Sequence, residues 1–380
     1  MSKYRHQSGP RAPSKEQKDL EEVYRKIHSR KMYFELGIVE WDFFTPDIVG
    51  ELTRLKYLIQ FWAWNWFSED LSSLSKTQKR SIIGALQHCC LLEDWDDLVG
   101  RFSSIHRHVT AVVFIEALLW TDIVNKIYDK PFWYFDGKMG PDDKEGDPQM
   151  VARLQHLYER YLESTCSIWF PKILTILMTT ATANPLSAST WRSETIRLAN
   201  STDIHQARSQ KFGEYHRQRR KDVLIPLMED GHIATELISL LLKPLSQEKE
   251  KQARRQELIK VYQMAAEGSV KIHAARGHLK YNWLDSVDKT FAWESKTLKA
   301  HTLYPEDDDD LQLQGCPVLL ITTPVISQAW VDGFFPQEGF SEIMKATAVV
   351  AENEGPGPDE LEEPIDAMVK DELEDPDWRE

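Results

Sequence analysis

The residues best suited to chemistry in this sequence are the acids of Glu93-Asp94-Trp95-Asp96-Asp97. On a helix, Glu93 and Asp97 fall at i and i+4, and Asp94 and Asp97 at i and i+3. Three carboxylates would then share one face and could hold Mg²⁺ against a diphosphate. The alternative is an exposed, acidic helix start favoured by the helix dipole. His88-Cys89-Cys90, with His106 and His108, places zinc-type ligands in a short span. Adjacent helical residues point about 100° apart, and zinc sites favour C-x₂₋₄-C or H-x₃₋₅-H spacing, so Cys89 and Cys90 read instead as core cysteines. His273 and His278 are five apart, the wrong interval for one helical face. No G-x-S-x-G, P-loop, G-x-G-x-x-G or H-E-x-x-H occurs, which removes support for the common hydrolase, nucleotide-binding and metalloprotease sites.

Over Glu93–Asp97 the sequence resembles the aspartate-rich motif of class I terpene cyclases. That resemblance implies an all-helical, Mg²⁺-dependent enzyme acting on an isoprenyl diphosphate, with Glu93, Asp94 and Asp97 as metal ligands. The family also carries a second motif, Asn-xxx-Ser-xxx-Glu. Its nearest counterpart here is Asn282, Ser286 and Thr290, where Thr290 stands in place of the acid and removes the third ligand.

Two further segments carry binding rather than catalytic chemistry. Arg208, Lys211, Arg217, Arg219, Arg220 and Lys221 are opposed within their run only by Glu214. Clustered cations of this kind serve as nuclear import signals or phosphate contacts, or else form a solvated helix face. Lys249, Lys251, Arg254 and Arg255 make a second cluster, diluted by Glu248 and Glu250. Neither lies in a recognised DNA-binding motif. Residues 352–380 hold thirteen Asp/Glu against two Lys/Arg. Leu361, Ile365, Met368, Val369, Leu373 and Trp378 are spaced among those acids, a pattern of disordered docking segments that order on a basic-rimmed apolar groove. Val369-Lys370-Asp371-Glu372 resembles the sumoylation acceptor pattern at Lys370. The tail could also fold back on the basic faces, a coupling that salt would weaken.

The elements that must carry these residues follow from periodicity. The chain has 380 residues, 42% hydrophobic and 28% charged, enough for a folded core and unlike a disordered or multi-span membrane chain. The formal net charge is −14, and most of it sits in the tail. Four cysteines without CxxC spacing, and no secretory pattern at Met1–Ser14, predict a reduced, intracellular protein of nucleus or cytoplasm, not secreted. Capping-box spacing at Ser14–Gln17 predicts a helix to about Leu36, and Ser75–Gln78 another to about Leu92. Thr45-Pro46 opens a third, to about Phe67, with an aromatic face around Trp62 and Trp66. Ile105–Lys130 reads as a buried core helix rather than a membrane span, because Glu116 and Asp122 fall inside it. Helices are also predicted near 149–182, 184–199, 203–230 with a break at Pro226, 233–242 and 246–288. Pro317–Thr323 and Ile343–Val350 read as strands.

The expected fold is mainly α: a multi-helical body with a small C-terminal strand-containing (α+β) module and a disordered acidic tail. The expected divisions are a basic arm at 1–13, helices over 14–304 with 136–148 as a candidate internal boundary, an acidic linker at 305–315, the strand module at 316–350 and the tail at 351–380. Asn184–Asn200, Arg219–Gly231 and Gly315–Val350 give the chain a general similarity to soluble proteins of filamentous fungi, among them accessory regulators of mating-type loci that lack a DNA-binding box. That similarity implies a role in developmental or mating regulation. The reading from the residues is a non-enzymatic regulatory or adaptor protein with protein partners, no cofactor and no membrane. Its alternatives are the Mg²⁺-dependent enzyme and a structural subunit that docks through the Trp62/Trp66 helix.

Overall fold

A computed structural model describes residues 45–102, 107–138, 140–163, 183–200, 207–275, 277–304, 313–329 and 341–351. The arm, the helix expected over 14–36, the acidic run at 305–312 and the tail with Lys370 lie outside these residues. Helix α1 spans Thr45–Trp66. Its Leu52, Leu55, Ile59 and Trp62 recur every three or four residues and are all buried, the stripe that drives a helix onto a core. Helix α2, Lys76–Ala85, starts at the expected capping box, with Ser75 and Gln78 each bonded to the other's backbone N–H. It stops seven residues before Leu92, and its last bonds give way to turns in which Cys89 and Cys90 donate to the Leu86 carbonyl.

Helix α3, Trp95–Gly100, is a short turn capped by Asp94. Helix α4, Thr110–Ile123, is the centre of the molecule. Residues on every side of it are buried, which a helix achieves only when neighbours surround it. Its Phe114 stacks on Trp95 with ring centroids 4.5 Å apart. A π-turn, Val124–Tyr128, continues it. Among the described residues no helix is long and apolar enough to cross a membrane.

Helices α5 (Met150–Glu163), α6 (Ala183–Asn200), α7 (Ala207–Glu229) and α8 (Glu248–Ala274) complete the helical part. A π-turn at Ile233–Leu237 and a single helical turn at Ile238–Leu240 connect α7 towards α8. Two expectations fail here. Pro226 does not break α7. Proline removes one backbone bond, but Pro226 is exposed, so water can serve the freed carbonyl, while Leu224 and Met228 on either side are buried and hold the final turn. Helix α8 ends at Ala274 rather than near Asp288, and the chain turns into a strand.

That strand, β1 (His278–Asn282), pairs antiparallel with β4 (Val325–Ala329), which pairs with β5 (Ser341–Met344). A second sheet places β6 (Ala346–Val350) between β2 (Leu298–Ala300), parallel to it, and β3 (Val318–Thr323), antiparallel. The boundary expected at 305–315 therefore does not separate strands from helices, because β1 and β2 precede it. Nor is the strand region detached: Leu319, Leu320, Ile326, Met344 and Val349 belong to the same apolar core as α1 and α4. Backbone bonds join the two directly, Leu91 N–H to the Leu319 carbonyl at 2.8 Å and Ile321 N–H to the Cys89 carbonyl at 2.9 Å.

Candidate functional site

The acidic cluster does not form a helical face. Glu93 precedes α3, and Asp94 is its cap, with Oδ1 accepting from the N–H groups of Asp96 (2.8 Å) and Asp97 (3.1 Å). Asp96 turns away to Lys79 at 2.5 Å. Among the described residues no group of three His, Cys, Asp or Glu is placed to hold a metal ion. Asn282 and Ser286, the fragment of a second metal motif, fall on a strand and in a 3₁₀ turn. Cys89 is buried beside the Thr121 hydroxyl at 3.7 Å, and burial pushes its thiol up to about 12.

The basic run divides in two. Lys211, Arg217 and Lys221 face solvent, beside the exposed Glu214 and Asp222. Arg219 reaches Asp136 at 3.3 Å. Arg220 bonds Asn200 and lies over the Tyr134 ring, 5.1 Å from its centroid. These two arginines fasten α7 to the 136–148 loop and to α6, although both remain partly exposed. The side chain of Arg208 lies outside the described residues. In the second cluster, Arg255 pairs with Glu229 (2.5 Å) and Lys251 with Glu248 (3.7 Å), while Arg254 donates to the Lys243 carbonyl (2.9 Å).

Trp62 and Trp66 are not the outer face of α1. Trp62 is buried and donates to the Arg254 carbonyl at 3.2 Å, and Trp66 donates to Glu257 at 2.7 Å with Lys243 stacked 5.0 Å above its ring. The outer face consists instead of Tyr57 (62% exposed), Phe61 (62%) and Trp64 (42%), at i, i+4 and i+7. Arg54, also exposed, continues the stripe one turn earlier. The same 3.6-residue spacing that identified the inner stripe implies this outer one. Centring the aromatic face on Trp62 and Trp66 concealed it.

Buried ionisable groups also gather in two clusters. In the first, Lys56 of α1 donates to the Thr347 hydroxyl of β6 at 2.9 Å, and His301 meets Glu116 of α4 at 3.0 Å. All four residues are buried. Burial, and next the charge of Lys299, push the Lys56 amine down to about 7, with Glu116 acting in the opposite sense.

The second cluster lies at the C-terminus of α8, whose last carbonyls lack helical partners. Side chains of α6 supply them. Ser193 and Arg197 donate to the Ala274 carbonyl at 2.5 and 2.8 Å, and Arg192 donates to the carbonyls of His273 (3.2 Å), Ala275 (2.7 Å) and Gly277 (2.7 Å). Cations are favoured at a helix C-terminus. Arg192 also donates to the Tyr158 hydroxyl at 3.1 Å, which lies 3.2 Å from His278 Nδ1. Burial, followed by the Arg192 charge, lowers His278 to about 4, so the ring is neutral near pH 7 and Nδ1 can accept from Tyr158.

A cavity of about 200 Å³ opens beside this corner. Arg192, His273 and Tyr281 line it from inside, and Asp129 and Glu159 line it at the surface. Burial raises the Asp129 carboxyl to about 6 although the residue keeps surface exposure. Sequence reading missed this site, because Arg192 and Tyr158 meet the end of α8 only through tertiary packing, 81 and more residues along the chain. The one local signal was Arg192-Ser193 followed by Arg197 within one helix.

No known family model, curated protein or solved structure matches this chain.

Proposed function

We propose that this chain is a non-enzymatic regulatory or adaptor protein of the nucleus or cytoplasm that binds a protein partner through the outer face of α1. The carrying observation is the aromatic stripe of Tyr57, Phe61 and Trp64. Large aromatics dominate interface energetics because they bury much area at low entropic cost, and contiguous exposed apolar patches mark interaction surfaces. Arg54 on the stripe and Lys243 over Trp66 give the patch a basic border. The complementary partner segment is apolar and flanked by acids. Residues 352–380 have that composition and would compete with the partner for the same face. The exposed Lys211, Arg217 and Lys221 remain as the cations that an import receptor or phosphate could contact.

The test is affinity capture from native cells with the full chain, the Phe61→Asp/Trp64→Asp double variant and a chain ending at Ala351. Equal melting temperatures for the first two establish that the variant is folded. The expected result is a partner held by the full chain, lost with the double variant and held more strongly by the shortened chain. A captured set unchanged by the double variant, or no capture with any of the three, would overturn the proposal.

A further inference from the structure

We infer that the cavity beside Arg192 is a binding site for a small zwitterion of the α-amino-acid class, held with its carboxylate towards Arg192 and Tyr281 and its ammonium towards Asp129 and Glu159. Charge placement carries the first part of the inference. A buried cation stands inside and two carboxylates stand at the mouth, so a free anion would be repelled on entry and a free cation repelled at the floor. A ligand with both charges satisfies both ends.

Unused hydrogen-bonding capacity carries the second part. Arg192 commits four of its five N–H groups to carbonyls and the Tyr158 hydroxyl, leaving one at Nη1. The buried Tyr281 hydroxyl has no partner. These are two donors for a carboxylate. Gln155 on α5 is held through its Nε2, which donates to the Asp129 carbonyl at 3.2 Å and to Glu159 at 2.9 Å. Its Oε1 is buried without a partner and is an acceptor for an ammonium. Both ring nitrogens of His273 are likewise without a well-formed hydrogen bond, and burial, then the Arg192 charge, holds the ring well below its ordinary pKa against a weaker opposing effect of the Ile127 backbone. A buried polar group left unpaired costs about 1–3 kcal/mol. Several of them lining one cavity are better explained by a ligand than by packing alone.

Size carries the third part. At ~30 Å³ per water, 200 Å³ holds the volume of about seven waters, less than a nucleotide needs and enough for a free amino acid.

The inference is independent of the α1 surface. The full chain is titrated by calorimetry and by thermal shift with glycine, alanine, serine and aspartate, and at matched ionic strength with acetate and methylammonium. The expected result is saturable binding and a raised melting temperature for at least one amino acid, with neither half-ligand effective. Tyr281→Phe and Asp129→Asn each remove one polar contact without opening the core, and each is expected to weaken binding by about tenfold, or ~1.4 kcal/mol. Arg192→Gln should abolish it but also weakens the α8 cap, so that variant is read only if it melts cooperatively. Three outcomes overturn the inference: no amino acid binds, acetate binds as well as the amino acids, or binding is unchanged in both Tyr281→Phe and Asp129→Asn.

Discussion

Two of the buried basic side chains, Lys56 and Arg192, are held in different ways. Lys56 sits at the junction of α1, α4 and the β2–β6–β3 sheet, where Thr347, Glu116 and His301 surround it. Arg192 sits where α6 meets the end of α8, and its partners are backbone carbonyls and one hydroxyl. No carboxylate of the described residues pairs with it. Lys56 is balanced by an opposite side-chain charge in a region that the cavity does not reach. Arg192 is balanced by the dipole of a 27-residue helix and keeps an open space beside it. The first arrangement locks two layers together. The second leaves a charged corner that still has bonding capacity, which is why the ligand site is placed there.

The most damaging way to break this contrast is Glu116→Ala. It removes the carboxylate that bonds His301 and favours the charged form of Lys56, and breaking a buried pair from one side costs about 3–5 kcal/mol. Urea denaturation should show that loss, and the Lys56→Met/Glu116→Leu double variant should recover most of it. A loss under about 1 kcal/mol would mean that the junction admits water and is not sealed.

A smaller effect separates the two cations by pH. The Lys56 amine falls from 10.5 to about 7 on folding, so between these values the unfolded chain holds a proton that the folded chain does not. Stability should rise with pH across that window, from this group alone, and show no slope from it below about 7. Lys299 and Glu116 act on the same amine, and His301 bonds Glu116. Urea midpoints measured from about pH 6 to pH 9 should climb in the native protein and flatten in Lys56→Met. An equal slope in both would remove Lys56 as the cause.

The smallest effect is expected at the cavity mouth. Asp129 keeps surface exposure and makes no side-chain bond that the corner depends on, so Asp129→Asn should lower stability by no more than about 0.5 kcal/mol without ligand. A larger loss would make the mouth a structural element like the sealed junction and erase the difference between them.

Local chemistry made part of this legible from the sequence. The Ser75–Gln78 box, the buried helix expected over Ile105–Lys130 and the β-prone runs Pro317–Thr323 and Ile343–Val350 depend on residues close together in the chain, although the second run divides between β5 and β6. The end of α8 was illegible for the opposite reason. His278–Asn282 follows a long helical pattern with no proline to end it, and it becomes a strand because Val325–Ala329, 47 positions later in register, offers it an edge. The Glu93–Asp97 reading failed at a single residue: an Asp placed before a short apolar turn is a better cap than a ligand. The basic run was correctly seen as charged, but charge alone does not reveal which arginines a neighbouring loop will claim.

The central position of β6 has a consequence for how the chain is made. It is the last described element in chain order, yet it lies between β2 and β3 and carries the hydroxyl that receives Lys56, 291 residues earlier. During synthesis from the N-terminus, α1 and α4 emerge long before the strand that covers their charged ends. Contacts of such separation form late, because the intervening chain must be ordered before they contribute. The helical half therefore waits on the ribosome with Lys56, Glu116 and its apolar inner surface uncovered, the state in which nascent chains most depend on chaperones.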